Sequence, residues 1–296
     1  MDGELDRKPD VSGGAQPRHR GVILVPLDGS EQAAEALPVA QGLAALTDAT
    51  VHIIHVSPQA VPIQEIREKL HLAMSHLSGA VLDQRTGAPA PAITDEAQRW
   101  HSNLIVMCSH SGAEMPQGGF SEVAEQILLH APCPIIFVPR GRGQHPWSLR
   151  KLLAPHDGTP TSAIPIGPVS DLCHHTRAEM TILHVSTAAA GPAEDRGVLT
   201  APRYMDQPQH EWPAWETEFL DRVRAMAKPP CDLRLRTVLC TDEIGRAIVR
   251  FASEQDIDLI VMAWRRHLER DRALTMRMVV EEAPCPVAVY PVALAR

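Results

Sequence analysis

The chain has 296 residues, of which 44% are hydrophobic, and its formal net charge is -8. This length is typical of two domains of ordinary size, and the hydrophobic content is enough to fill two cores. The negative charge excludes nucleic-acid binding through bulk electrostatics, and no apolar run approaches the roughly 18 residues of a membrane span. Residues 1–20 mix charges with glycine and proline and have no apolar centre, so we expect a disordered tail rather than a signal peptide.

In residues 21–140, short apolar runs alternate with amphipathic stretches. The apolar runs are too short for helices and predict strands that are buried on both faces, as in parallel sheets. Strands are predicted at 22–27, 51–56, 80–84, 104–107 and 135–138, and helices at 31–47, 63–76, 93–100 and 121–130. We expect Pro38 to kink the first helix. This order is typical of a single α/β domain with right-handed crossovers.

The same pattern occurs again in the second half of the chain. Asp258–Met262 repeats Asn103–Met107, and Ala283–Val287 repeats Ala131–Ile135. Residues 141–148 are predicted as a linker, and residues 149–296 as a second domain with an insertion at about 186–211. Its strands are predicted at 149–155, 180–185, 233–238, 258–262 and 287–290, and its helices at 212–226, 244–254 and, broken by prolines, 160–175.

Six cysteines are scattered along the chain without metal-type spacing. Cys133 and Cys285 lie at equivalent repeat positions, in Pro-Cys-Pro turns before buried strands. We interpret them as small buried hydrophobic residues of a protein from the reducing cytoplasm. Cys108, close to His110 at a loop mouth, leaves a reactive thiol open as an alternative. His52 and His55 are three residues apart on a strand and so point to opposite faces, which disfavours a shared metal ion.

Several motifs together resemble the universal stress protein family. They are Pro26–Ser30, the His55-Val56 strand end, Ile105–His110, Val123–Glu125 and His130–Pro134, and the resemblance recurs more weakly over Leu149–Val292. It implies two tandem α/β domains, each a five-stranded parallel sheet of the Rossmann-like, adenine nucleotide alpha hydrolase type. It also implies pseudo-twofold pairing of the domains through their last strands and a role in the stress response.

Members of that family that bind ATP carry a Gly-x2-Gly-x9-Gly-(Ser/Thr) loop. Its glycines let backbone N–H groups approach phosphate oxygens beside a helix N-terminus. The matching positions here are Cys108, Ser111, Ser121 and Glu122. All three glycines are replaced, and a carboxylate stands where a phosphate-binding hydroxyl would be. We therefore expect ATP to bind weakly or not at all.

The adenosine side of the site matches the family better. Asp28 corresponds to the residue that contacts adenine, Val56 and Met107 correspond to pocket walls, and His110 is a donor for an anion. In the second domain Asp157 and Val185 match. An Asp before Gly-Ser or Gly-Thr is also a common turn and capping residue, so a purely structural role for Asp28 and Asp157 stays open.

The corresponding loop of the second domain is shorter and rich in arginine, with Trp264, Arg265, Arg266, Arg270 and Arg272. One interpretation is an anion or partner contact with Trp264 as a stacking surface, the partner being a protein or a second copy of the chain. The other is a solvated, salt-bridged helix start.

Three hypotheses for the function follow. The first is a non-enzymatic regulatory or ligand-sensing module of the stress response that acts through dimerisation and partner contacts. The second is an adenine-nucleotide binder that uses the first domain only, with very slow ATP hydrolysis left open. The third is a small-molecule or lipid carrier in which the insertion forms a lid beside Trp212 and Trp215. No metal and no catalytic residue is predicted.

Overall fold

The computed structural model describes residues 21–70, 72, 77–109, 121–186, 208–230, 233–266 and 270–292. The predicted tail therefore lies outside the described residues, as do loop 110–120 and most of the insertion. Among the described helices, none is long and apolar enough to cross a membrane.

The first domain alternates strands and helices as the apolar pattern predicts. Its strands are β1 (Val22–Pro26), β2 (Thr50–Ser57), β3 (Val81–Thr86), β4 (Leu104–Cys108) and β5 (Ile135–Val138). Its helices are α1 (Glu31–Ala34), α2 (Ala36–Thr47), α3 (Ile63–Lys69), α4 (Pro89–Arg99) and α5 (Glu122–His130).

The second domain follows the same order. Its strands are β6 (Lys151–Pro155), β7 (Glu179–Ser186), β8 (Leu235–Thr241), β9 (Leu259–Trp264) and β10 (Val287–Pro291). Its helices are α6 (Pro160–Ala163), α7 (Ile166–Thr176), α8 (Pro208–Ala227), α9 (Ile244–Glu254) and α10 (Arg270–Glu282). The predicted break in helix 160–175 is confirmed between α6 and α7. The helix predicted at 212–226 begins at Pro208, so residues 208–211 of the predicted insertion are helical.

The ten strands form a single sheet in the order β3-β2-β1-β4-β5-β10-β9-β6-β7-β8. Pairing is parallel within each domain, and β5 pairs antiparallel with β10. In that pair Ile136 lies opposite Ala288, its own counterpart 152 residues further on. A pseudo-twofold axis therefore passes between these two residues, which confirms the predicted pairing through the last strands.

Two hydrophobic cores cover the two faces of the sheet. One packs α1, α2 and α3 of the first domain and α7 and α8 of the second against the strands. The other does the same with α4 and α5 of the first domain and α9 and α10 of the second. Both cores are therefore continuous across the boundary between the domains.

Two helix boundaries at prolines differ from the predicted ones. The first helix is interrupted at Glu35, three residues before the kink expected at Pro38. Because Pro38 has no N–H to donate to the carbonyl four residues earlier, it fits only the first turn of α2. Similarly, α4 begins at Pro89 rather than Ile93, since proline is well suited to the first turn of a helix.

The segment predicted as a linker is packed between the domains. Trp147 is 5% exposed, and its indole N–H donates to the backbone oxygen of Asp258 over 3.2 Å. Its other side lies against Gly42 of α2, where an added Cβ would be 2.7 Å from the Trp147 backbone oxygen. This segment fixes the domains against each other instead of separating them.

Candidate functional site

The first-domain candidate site lies where β1, β2 and β4 end side by side. Asp28 follows β1, and its Oδ1 accepts hydrogen bonds from the Ser30 N–H at 2.8 Å and the Ser30 hydroxyl at 2.6 Å. The Ser30 oxygen in turn accepts from the Ala33 N–H at the start of α1. The turn needs Gly29, whose φ is +99°. Asp28 is thus held at the carboxyl edge of the sheet and is exposed there.

A buried histidine and a lysine lie next to this turn. The Nδ1 of His55 donates to the backbone oxygen of Leu27 over 2.8 Å, so its Nε2 is an acceptor. Lys69 of α3 donates to that Nε2 over 3.3 Å. The stem of Lys69 crosses Gly29, since a Cβ there would be 3.3 Å from the Lys69 Cγ and Cε. An ammonium group therefore lies beside the Asp28 turn, where no sequence motif indicated one.

The residues predicted as pocket walls lie at the same edge. Val56 is half-buried near the end of β2, while Met107 and Cys108 are 3% and 2% exposed at the end of β4. His52 is on the opposite face of β2 from His55 and packs edge-on against Trp100 at 4.6 Å between ring centroids. The prediction that His52 and His55 point to opposite faces is confirmed. The burial of Cys108 argues against a reactive thiol at the loop mouth.

The loop positions that correspond to phosphate-binding glycines are described only in part. His110 and Ser111 lie outside the described residues. The Ser121 oxygen accepts from the Ala124 N–H over 3.1 Å and so caps α5, while Glu122 is exposed in the first turn of that helix. A side chain and a carboxylate therefore already complement the helix N-terminus that the family resemblance matches to a phosphate site.

In the second domain, Asp157 repeats the turn of Asp28 with one more hydrogen bond. Its Oδ1 accepts from the Thr159 N–H at 2.9 Å, the Thr159 hydroxyl at 2.7 Å and the Ser162 hydroxyl at 2.6 Å. Burial alone would raise the pKa of Asp157, but hydrogen bonds from Ser162 and Thr159 lower it below its ordinary value. Asp157 and Asp28 therefore both hold their turns through hydrogen bonds, and a ligand contact by either residue stays a prediction.

An aromatic side chain seals the second-domain site where the first domain has Lys69. His184 is the counterpart of His55, and its Nδ1 donates to the backbone oxygen of His156 over 2.8 Å. Phe219 of α8 is fully buried against both rings, at 5.5 Å from His156 and 5.2 Å from His184 between centroids. Its apolar ring excludes water from the histidine pair.

His156 itself is 3% exposed and neutral. Its Nδ1 accepts from the Gly158 N–H over 2.8 Å, so Nε2 carries the proton, and that atom has no hydrogen-bond partner among the described residues. Burial lowers the pKa of His156 to about 4. Burial also lowers the pKa of His184.

The described arginine side chains of the arginine-rich loop, those of Arg265 and Arg266, are bound within the chain. Arg265 donates to the Thr161 hydroxyl of α6 over 3.1 Å and so spans the crevice between the ends of β6 and β9. Trp264 is 4% exposed in the core, which corrects the expectation that it offers a stacking surface. Val185 is half-buried near the end of β7. The side chains of Arg270 and Arg272 lie outside the described residues, so their predicted contacts stay predictions.

Comparison with known proteins identifies the family. The model of the Universal stress protein family matches residues 19–139 and again residues 148–291. The chain belongs to the universal stress protein family. None of the curated proteins matches the sequence.

Solved structures share the tandem fold of this universal stress protein. A functionally unknown protein from Pseudomonas aeruginosa PAO1 has a TM-score of 0.64 at 16% identity, covering 92% of this chain and 93% of its own. A universal stress protein from Archaeoglobus fulgidus DSM 4304 has a TM-score of 0.61 at 13% identity, covering 92% and 99%. These identities are low, so the similarity establishes the architecture and leaves the ligand open.

Arg266 of this universal stress protein requires a correction to the predicted partner contact. Its guanidinium donates to the backbone oxygens of Leu129 at 3.1 Å and Ala131 at 2.7 Å, at the carboxyl end of α5 in the other domain. Arg266 therefore contacts the first domain of the same chain, and not the separate partner that was expected. A cation at the end of a helix is stabilised by the helix dipole.

Two sealing residues were missed because their sequence signals are weak. Phe219 follows Trp212 and Trp215 at helical spacing and is indistinguishable by pattern from an ordinary core residue. Lys69 is one of several charged residues on a short surface helix. The carrier hypothesis depends on residues 187–207 and on the side chains of Trp212 and Trp215, which lie outside the described residues, and it stays a prediction.

Proposed function

We propose that the protein is a non-enzymatic regulatory or ligand-sensing module of the stress response whose nucleotide sites are degenerate. The observation that carries this proposal is that the chain's own side chains cap the helix start of the first domain and cover the sheet edge of the second. In the first domain Ser121 caps the helix that would receive a phosphate. In the second, Phe219 covers the histidine pair at the ends of β6 and β7, and Arg265 bridges the end of β9 to the helix that follows β6.

The charge at the first-domain helix supports weak phosphate binding. Glu122 begins α5, and its carboxylate stands at the positive end of the helix dipole. An incoming triphosphate would be repelled by this carboxylate and would compete with the Ser121 cap for the same backbone N–H groups. We propose that the site binds its ligand without hydrolysing it.

A second candidate is adenine recognition by the first domain alone. Asp28 is exposed and fixed by Ser30, and it lies at the end of β1, beside the ends of β2 and β4 that carry Val56 and Met107. The cover over this edge is a lysine stem, which can move, whereas the second domain has a buried Phe219. We therefore place any adenine ligand in the first domain and the regulatory output in contacts with protein partners in the cytoplasm.

Isothermal titration calorimetry with adenosine and with ATP tests this proposal. ATP should bind no more tightly than adenosine, with a dissociation constant above about 100 μM, because the triphosphate gains nothing at α5. No inorganic phosphate should be released. An ATP dissociation constant near 1 μM, roughly -8 kcal/mol, would contradict the proposal.

Two variants locate the cause of the weak binding. Glu122→Ser removes the carboxylate from the helix start and should strengthen ATP binding several-fold without changing adenosine binding. Glu254→Ser, an exposed acid at the far end of α9, is the matched control and should change neither. A quadruple variant restores the loop of the family, with the substitutions Cys108→Gly, Ser111→Gly, Ser121→Gly and Glu122→Ser. If it fails to raise ATP affinity, the adenosine side is defective as well.

A further inference from the structure

The two strands that join the domains carry side chains of unequal size. At each pair across the axis a larger side chain of β5 faces a smaller one of β10: Ile135 faces Val289, Ile136 faces Ala288, and Phe137 faces Val287. All six are buried. Directly opposed side chains in an antiparallel pair are in contact, so two β5 strands would force Ile136 against another Ile136. Two β10 strands would leave a void at Ala288.

The helices beside these strands are unequal in charge. Glu125 of α5 forms an ion pair with Arg277 of α10. Arg277 lies 152 residues after Glu125, the separation that also relates Ile136 to Ala288, so the two side chains are repeat counterparts that meet each other. A pairing of two first domains would bring Glu125 against Glu125, and a pairing of two second domains would bring Arg277 against Arg277.

A third contact runs from the second domain to the first. Arg266 has a left-handed backbone, with φ of +58°, and its guanidinium reaches the last carbonyls of α5. The first domain thus presents large apolar side chains, a carboxylate and the carbonyls at the end of α5 that accept from Arg266. The second presents small apolar side chains and two arginines.

We propose that this interface is a selective pairing surface that accepts only an unlike universal stress protein domain. The bulky face of the first domain, with the Glu125 carboxylate, fits a slim partner face with Arg266 and Arg277, which the chain supplies from its own second domain. Like domains from two copies of the chain are rejected by size and by charge together. This proposal is independent of any nucleotide bound at the sheet edge.

A charge-reversal cycle in the full-length chain tests the charge half of this surface. Glu125→Arg and Arg277→Glu should each raise the unfolding equilibrium constant about three-fold in urea, because each creates a like-charge pair. The combination of both should return to within about two-fold of wild type at low salt, and the coupling should shrink in 1 M salt. Additive losses in the double variant would overturn the proposal. Glu125→Gln and Arg277→Gln control for loss of charge alone, which matters because Glu281 also lies close to Arg277.

Refolding at high protein concentration tests the selectivity. A chain with a more symmetric interface, in which Ile136→Val and Ala288→Val equalise the central pair and Glu125→Gln and Arg277→Gln remove the charge difference, should give at least twice the wild-type dimer fraction in sedimentation velocity. The charge-reversed double variant keeps unlike pairing and should match wild type. The double variant Glu125→Gln with Arg277→Gln changes only partly exposed atoms, and its dimer fraction should rise above that of wild type by a smaller amount. Equal monomer fractions in wild type and both neutral variants would overturn the proposal.

Discussion

At the scale of single residues, the repeat has kept one buried histidine in each domain and changed what covers it. His55 and His184 each donate to the backbone oxygen of the residue that follows the first strand by one position. In the first domain that residue is Leu27, and a lysine covers the histidine. In the second it is His156, and Phe219 covers both rings. The same backbone geometry therefore supports an open, polar edge in one domain and a sealed one in the other.

The buried His156 makes stability depend on pH. Its folded pKa is about 4 and its unfolded value is about 6.5, so the unfolded state binds the proton more tightly. The contribution of His156 to the unfolding free energy is therefore complete above about pH 6.5. About 3 kcal/mol of it is lost as the pH falls toward 4. We expect His156→Leu, the residue of the first domain, to reduce the slope of the unfolding free energy against pH near pH 5 by about 1 kcal/mol per unit.

Urea unfolding between pH 4.5 and 7.5 measures this slope. The exposed His175 at the end of α7 is the matched control, and His175→Gln should leave the slope unchanged. An unchanged slope in the His156→Leu protein would show that His156 is solvated in the folded state.

At the scale of elements, the segment between the domains packs tightly against α2, because α2 has a glycine, Gly42, where Trp147 crosses it. We call this segment the wedge. An added Cβ at Gly42 would be 2.7 Å from the Trp147 backbone oxygen and 2.9 Å from its Cε3. Such approaches are closer than packed atoms adopt, and a backbone oxygen cannot move aside as a flexible side chain would. Gly42 is thus required for the domains to approach each other.

Replacement of Gly42 by alanine should therefore destabilise the protein. Overpacking costs about 1–3 kcal/mol, against a gain of up to about 1 kcal/mol from helix propensity, so we expect a net loss of about 1–2 kcal/mol in urea unfolding. Gly167→Ala is the matched control, since its Cβ would lie 3.5 Å from the Ala227 backbone oxygen, an ordinary contact. That variant should be as stable as wild type or slightly more so. Equal stability of the two variants would argue against the wedge.

The elements were predictable from sequence where the signal is local. Ser121 capping α5 and the proline-broken helix of the second domain follow from residue types at fixed offsets. Contacts between distant segments carry no such signal. Nothing in the composition of residues 141–148 indicates that Trp147 packs on Gly42, and an arginine-rich loop does not reveal that Arg266 reaches α5. The residues of the candidate site that belong to a motif, such as Asp28, were predictable from sequence. The side chains that pack over the site, Lys69 and Phe219, were not.

At the scale of the whole molecule, the two domains share their sheet and both of their cores. Val106 and Ile136 of the first domain belong to the same core as Leu152 and Ala288 of the second. Neither half can expose its last strand without opening an apolar surface of the other. The duplicated motifs predicted two domains, but the continuous cores make the folded chain one cooperative unit.

Thermal unfolding should accordingly proceed in a single transition. Since the two domains lose a common core, the van't Hoff enthalpy in scanning calorimetry should equal the calorimetric enthalpy, whereas two independent domains of similar size would give a ratio of about one half. Trp147→Ala removes a buried contact from both domains and should lower the one midpoint by several degrees without splitting it. Leu46→Ala, at an exposed position of α2, is the control and should leave the midpoint nearly unchanged. Two resolved transitions in the wild-type protein would mean that the antiparallel β5–β10 pair is too weak to couple the halves, and the domains would then unfold as the sequence repeat alone suggests.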